Sequence, residues 1–306
     1  KHEVEAIMGA NGIYDITKFK INASTTPINL TSNITSNSNA WIVTTSKSHS
    51  AEKATVKRVE KFMEKYNYSV LVTSADEQCN GALVTNDMGQ AIGMYAFNNE
   101  IRSATDATFA RDFNISGLSQ NDLTLRDCFI RVALPTEQED AIIALMLSTD
   151  KPEKYREGIV DEFLKKFPQL NDGYAAKANL LISKKEFEKA DKVLREAIAK
   201  TTAKDVAHYN FARIQYQCVL NTTTSKTVKD LGWTLDEAMK EVLEANKIKP
   251  NPQYRHLQAK LIFVKRDYEK AYKAFEALTT SSIKNPELYL EMAQCKQQLN
   301  GGDNEI

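Results

Sequence analysis

The chain has 306 residues, with 40 acidic and 40 basic side chains, and so carries no formal net charge. Its length allows two domains with separate cores, whereas its charge balance argues against non-specific binding to nucleic acid or anionic membranes, which needs a basic excess. Its apolar runs are shorter than the roughly 18 residues of a membrane span, and its four cysteines lack the CxxC spacing of a zinc site, so neither a metal nor a cofactor is expected.

Short apolar runs separated by Asn, Ser, Thr and Gly predict β-strands in the first 130 residues, taken as one domain. The polar run from Ala23 to Asn39 predicts a surface loop too polar to pack. Residues Lys53–Tyr66 fit a strand or a helix, because their apolar positions match both periods. The clearest strand-like segments are Lys18–Ser24, Ala40–Ser46, Tyr68–Ser74 and Gly81–Phe97, the last with a turn at NDMG.

The order of these segments resembles a trypsin-like serine protease. Gly81–Met94 is similar to the hairpin after the nucleophile, and Tyr14–Ile21 to the strand that carries the catalytic aspartate. Ser103–Phe113 resembles the closing strand and the start of the C-terminal helix. The resemblance implies a partial trypsin-like antiparallel β-barrel whose first strand is Ala40–Ser46. It also implies that the ambiguous segment, Lys53–Tyr66, is the next strand and not a helix.

Laid over the catalytic motif of that family, Asp15 falls on the aspartate and Cys79 on the nucleophile. The triad histidine would lie a few tens of residues before Asp15, where this chain has none. Glu77 falls beside the oxyanion hole, where a carboxylate opposes the donors that stabilise the developing charge. Two interpretations stay open: a degenerate, non-catalytic protease fold, which we favour, and a peptidase in which Cys79 is the nucleophile.

The second half of the chain repeats small residues at a long period. Alanines recur at spacings of 34, 34, 47 and 34 residues, and a 34-residue period is typical of helix-turn-helix repeats that stack into a solenoid. The longer spacing is explained by a polar, turn-prone insertion at residues 221–232. The five alanines are Ala144, Ala178, Ala212, Ala259 and Ala293.

The residues around these alanines resemble the tetratricopeptide repeat. Tyr174 and Ala178 take the large and small positions of a first helix, and Ala190 takes the small position of the second. The resemblance covers residues 136–300 and implies an all-α solenoid of about three and a half helical hairpins after the β domain. Its first copy is weaker, because Arg156 replaces a small residue.

In this family, fixed positions of the first helices line a concave groove that binds protein partners. The positions correspond here to aromatic and cationic side chains, which can hold an extended peptide by stacking and charge-assisted hydrogen bonds. The alternative is ordinary groove residues, some covered by residues 221–232 or by the β domain. The carboxylate-clamp pattern of chaperone-binding members is not reproduced. The candidates are Asn179, Tyr209, Arg213, Tyr216, His256 and Lys260.

Together the two resemblances predict a non-catalytic, protein- or peptide-binding scaffold: a solenoid joined to a pseudoprotease domain. The alternative is a trypsin-like-fold peptidase that uses Cys79, or a triad completed only in a longer chain, with the solenoid recruiting substrate. Because trypsin-like domains of this kind often work in bacterial envelopes, the resemblance implies a periplasmic or extracellular protein.

Overall fold

The computed structural model describes residues 2–14, 16–44, 51–116, 119, 125 and 130–299. The chain divides into two compact units, residues 1–147 and 148–306, called here the barrel unit and the helical unit. A β-barrel followed by helices confirms the predicted α and β architecture at this level. No helix among the described residues is long and apolar enough to cross a membrane.

The barrel unit contains a closed six-stranded antiparallel barrel. Its strand order is β3-β4-β5-β8-β7-β6, and β6 pairs with β3 to close the ring. The segment that fitted both periods is strand β4, paired with β3 on one side and β5 on the other, so its strand assignment is confirmed. The strands are β3 (Asn39–Val43), β4 (Ala51–Phe62), β5 (Tyr66–Thr73), β6 (Leu83–Thr85), β7 (Ala91–Asn98) and β8 (Ile101–Asp106).

Alternating side chains fill the barrel, as expected for strands with one buried face. In β3, Ala40 and Ile42 are fully buried while Val43 is exposed. Gly93 of β7 allows close approach to β8, because an added Cβ would lie 2.5 Å from the carbonyl oxygen of Thr105. The residues of this core are Ala40, Ile42, Ala54, Val56, Leu71, Ala75, Val84, Ile92, Tyr95 and Ala104.

Strands β1 (Val4–Asn11) and β2 (Ile16–Ile21) form a separate antiparallel sheet in the same unit. Helices α1 (Ala107–Asp112) and α2 (Gln138–Leu147) follow the barrel. An aromatic cluster packs Tyr14, Phe62, Tyr66, Phe109 and Phe113 together.

The polar segment before the barrel differs from the prediction that it does not pack. The N–H of Thr31 donates to the carbonyl of Ala91 at 2.9 Å, and the N–H of Ala91 donates to Asn29 at 2.8 Å. Ile34 packs against the barrel core. Backbone hydrogen bonds hold the segment to β7, and they require no apolar side chains.

In the helical unit consecutive helices pack together, except that Lys204–Leu220 packs against Leu235–Ile248 across the short helix Ser225–Asp230. Ala178, Ala212 and Ala259 are fully buried at the helix crossings, as are Ala190 and Ala238. Small residues allow helices to pack closely, which explains their period. The helices are α3 (Glu153–Lys166), α4 (Asn171–Ser183), α5 (Phe187–Lys200), α6 (Lys204–Leu220), α7 (Ser225–Asp230), α8 (Leu235–Ile248), α9 (Pro252–Val264), α10 (Tyr268–Leu278) and α11 (Pro286–Leu299).

Capping residues set where several of these helices begin. The Thr234 hydroxyl accepts a hydrogen bond from the Glu237 N–H at 3.1 Å at the start of α8. At the start of α9, the side-chain oxygen of Asn251 accepts a hydrogen bond from the Gln253 N–H at 2.9 Å, and Pro252, which has no N–H, occupies a first-turn position where an N–H would have no intrahelical acceptor. These caps fix the start of α8 and α9.

The inserted segment forms helix α7 and packs into the helical core. Val228 is fully buried and Trp233 is 1% exposed, in one cluster with Phe187 and Phe211. The Trp233 Nε1–H donates to Asp191 Oδ1 at 2.8 Å. The insertion therefore has a fixed position on α5 and α6.

Candidate functional site

A cavity of about 670 Å³ lies in the helical unit. Five of the six groove candidates line it, namely Tyr209, Arg213, Tyr216, His256 and Lys260. Asn179 is an exposed residue of α4 and does not line this cavity. Gln217, Gln253, Lys284 and Glu287 also contribute to the wall.

Helix periodicity places the candidates of each helix on one face. Tyr209, Arg213 and Tyr216 stand at i, i+4 and i+7 of α6, and His256 and Lys260 stand at i and i+4 of α9. Such spacings put side chains above one another on a helix. The buried alanines Ala212 and Ala259 lie on the flank of each helix next to these positions and pack into the core.

On one side of the cavity, carboxylates of helix α11 pair with the basic side chains of helix α9. Lys260 Nζ lies 3.2 Å from Glu287 Oε1 and 3.2 Å from Glu291 Oε1. His256 Nε2 lies 2.6 Å from Glu291 Oε2. Burial by itself lowers the pKa of Lys260, but the attraction of Glu291 and the hydrogen bonds to both carboxylates outweigh it, so that pKa lies above its ordinary value. Lys260 therefore stays charged and paired.

Arg213 lies in a different electrostatic environment from Lys260. Among the described residues, the Arg213 guanidinium makes no hydrogen bond or ion pair, and neither does the ammonium of Lys284. Both side chains line the cavity. An uncompensated guanidinium with five donors is a ready partner for a carboxylate or another oxyanion.

Two tyrosines flank Arg213 along α6. The Tyr209 ring stacks on Tyr254 with 4.7 Å between ring centroids, and the Tyr254 hydroxyl donates to Asp205 Oδ2 at 2.9 Å. Burial raises the pKa of Tyr216, which keeps its hydroxyl protonated as a donor. Within the described part of the chain, the Tyr209 and Tyr216 hydroxyls have no hydrogen-bond partner.

The acidic half of this site was missed by the sequence analysis. Glu287 and Glu291 belong to α11 and were not among the six candidates. Their i, i+4 spacing on the terminal helix was the available signal. Lys284 lies in the loop before α11, which a helix-based pattern does not address.

The inserted segment does not cover the cavity. No residue of 221–232 lines it. Val228 of this segment packs instead among Phe187, Phe211 and Trp233. The groove candidates therefore remain accessible from the side of the insertion.

The surroundings of Cys79 contain little catalytic machinery. Cys79 is half-buried at the end of a 3-10 turn, Glu77–Cys79, and packs against the barrel core. Its N–H donates to the carbonyl oxygen of Asp76 at 3.2 Å, so this donor is already used within the turn. Among the described residues no histidine is hydrogen-bonded to its thiol. The other vestigial candidate, Asp15, lies outside the described residues.

The chain matches no protein-family model and no curated protein sequence. In the described part of the chain, no group of three or more His, Cys, Asp or Glu side chains is arranged to hold a metal ion.

Proposed function

We propose that this protein is a non-catalytic peptide-binding scaffold: a tetratricopeptide-like solenoid that holds a partner segment in its groove, joined to a degenerate trypsin-like domain. The observation that carries the proposal is the convergence of Tyr209, Arg213, Tyr216, His256 and Lys260 on one cavity. Tyr209, Arg213 and Tyr216 lie at least 40 positions before His256 and Lys260 in the sequence, yet the five residues line one cavity.

The chemistry of the wall suits a peptide. Two tyrosine rings provide flat apolar area with free hydroxyls, and Gln217 and Gln253 offer amide groups to a peptide backbone. The volume, about 670 Å³, falls within the range of roughly 300–1,000 Å³ common for ligand sites. Aromatic and arginine side chains carry most of the energy in such interfaces.

The trypsin-like part of the proposal has support from the barrel. The segments that the resemblance predicts as strands contain β-strands. In chain order β3 is the first strand of the closed six-stranded barrel, and β8 is followed directly by helix α1. The peptidase alternative has less support, because the Cys79 N–H, an oxyanion-hole donor by the resemblance, is hydrogen-bonded to Asp76.

Selection from a random 12-residue peptide display library on the immobilised chain tests peptide binding. We expect enriched peptides whose affinity falls about tenfold or more in Gln217→Trp, which fills the cavity from an exposed position. Gln298→Trp, at an exposed position of α11 outside the cavity, is the matched control.

Circular dichroism melts of both variants check that each remains folded. The proposal is overturned if no peptide is enriched over the bare support. It is also overturned if the enriched peptides bind Gln217→Trp and the unmodified chain equally.

A further inference from the structure

The cavity holds two cations in different electrostatic states. Lys260 is shared between two carboxylates, each with an oxygen 3.2 Å from its Nζ. Arg213 faces the same cavity and has no acidic partner among the described residues. A ligand anion would compete with two carboxylates for Lys260, whereas it would meet no such competitor among the described residues at Arg213.

We propose that the groove selects an acidic peptide, and that the carboxylate of an Asp or Glu side chain binds Arg213. This inference rests on the proposed function, since it names the class of peptide that the same groove takes. The guanidinium can donate two parallel hydrogen bonds to a carboxylate. The free hydroxyls of Tyr209 and Tyr216, four residues before and three after Arg213 on the same helix, are placed to donate further hydrogen bonds.

Basic peptides are disfavoured by the same groups. A ligand ammonium would meet Arg213 and Lys284, whose charges are uncompensated within the described residues. Among the described residues, three acidic groups near the cavity already have partners. Glu287 is paired with Lys260, and Glu291 contacts both Lys260 and His256. Asp205 accepts a hydrogen bond from Tyr254. A ligand cation would have to compete with these internal partners for each carboxylate.

The tyrosine arrangement limits rearrangement on binding. Tyr209 is held by stacking on Tyr254, which is itself hydrogen-bonded to the buried Asp205. Tyr216 packs against the core around Ala212 and Tyr254. Side chains fixed before binding lose less conformational entropy when the ligand arrives. The tyrosine part of the anion site is thus largely formed in the free protein.

The test uses peptides recovered by display on the full chain and then synthesised with acetylated and amidated ends. We expect an excess of Asp and Glu among recovered sequences. Replacing the key Glu by Gln should weaken binding about tenfold, and replacing it by Lys should weaken binding further. Raising the salt concentration should weaken the Glu peptide more than the Gln peptide.

Charge reversal of the protein gives the matched comparison. Arg213→Glu should abolish capture of the Glu peptide and increase capture of the Lys peptide. Arg255→Glu, an equal change at an exposed position of α9 outside the cavity, should leave both affinities within about twofold.

The outcomes separate this inference from the proposed function. Groove-dependent peptides without acidic residues, or equal effects of Arg213→Glu and Arg255→Glu, overturn the acidic preference and leave peptide binding intact. A phosphoserine peptide that binds at least tenfold more tightly than its Glu counterpart overturns the carboxylate assignment in favour of a phosphopeptide. Failure to recover any peptide overturns the proposed function itself.

Discussion

The thiol of Cys79 packs against the barrel core, and the N–H of the same residue donates to Asp76 within a tight turn. A cysteine nucleophile needs a base that removes its proton and donors that stabilise the oxyanion. Around Cys79, the described residues supply acidic neighbours, Asp76 and Glu77, and no hydrogen-bonded histidine. These surroundings oppose negative charge on the reacting atoms.

We therefore expect no hydrolysis of peptide or ester substrates by this chain. Iodoacetamide should alkylate Cys79 at neutral pH no more than about tenfold faster than it alkylates glutathione, because among the described residues no histidine or cation is hydrogen-bonded to the thiol. Mass spectrometry of the alkylated peptide measures the rate. Substrate turnover that disappears in Cys79→Ala would contradict the pseudoprotease interpretation.

Asp112 at the end of α1 accepts charge-assisted hydrogen bonds from two cations. Arg111 Nε lies 2.7 Å from its Oδ1 and Lys65 Nζ lies 2.9 Å from its Oδ2. These bonds, that of Arg111 first, hold the pKa of Asp112 well below its usual range. A carboxyl group whose pKa is lower in the folded state stabilises the fold above the unfolded-state pKa, near 4, and loses that contribution as the pH falls through the folded-state value.

Asp112→Asn should accordingly lower Tm at neutral pH, and the difference from the unmodified chain should shrink as the pH falls below about 4. Thermal melts between pH 7 and the lowest pH at which the chain stays folded measure this difference. Glu3→Gln, which removes an exposed carboxylate without an ion pair among the described residues, should show a small difference at every pH. A difference for Asp112→Asn that does not change with pH would show that the ion pairs add nothing to stability.

At the scale of elements, the helix pairs depend on small residues where they cross. Ala259 of α9 is fully buried in a cluster with Ala271 and Phe275 of α10. Close packing leaves no room for three extra heavy atoms at this position. In the first copy of the repeat a large residue, Arg156, stands at a position where the other copies have alanine. Its Nε is buried without a hydrogen-bond partner in the described part of the chain.

Ala259→Leu should destabilise the helical unit by about 1–3 kcal/mol through overpacking. Ala277→Leu, the same change at an exposed position of α10, should stay within about 0.5 kcal/mol of neutral. Urea unfolding followed by circular dichroism measures both. Equal effects at the two positions would mean that the helix register inferred from the 34-residue period is wrong.

At the scale of the whole molecule, regular periodicity decided which elements could be predicted. Buried and more exposed side chains alternate in strand β3, where Ala40 and Ile42 are buried, and the alanines of the helical repeats recur every 34 residues except across the insertion. Strand β1 was not predicted, because its pairing with β2 is interrupted by irregularities between Val4 and Ala6 and between Ile7 and Gly9. Such irregularities break the two-residue alternation on which strand prediction relies.

The cavity also has features that the sequence pattern predicts and features that it does not. Residues at fixed positions of α6 and α9 were predictable, because repeat geometry sets which way they face. The charge state of the wall was not predictable, because it depends on Glu291, which pairs across helices with His256 and Lys260. A repeat pattern specifies the positions that line a groove, whereas contacts between neighbouring repeats specify the charge that the groove presents.

The position of the insertion gives the chain a practical attachment point. Trp233, the residue that follows it, is hydrogen-bonded to Asp191, its Val228 is buried, and its first residues, Asn221–Thr223, are exposed and outside the cavity. A fluorophore coupled through a cysteine introduced at Thr222 would label the protein without entering the groove. The dye would then report rotational diffusion and proximity to a bound peptide while the cavity wall keeps its natural side chains.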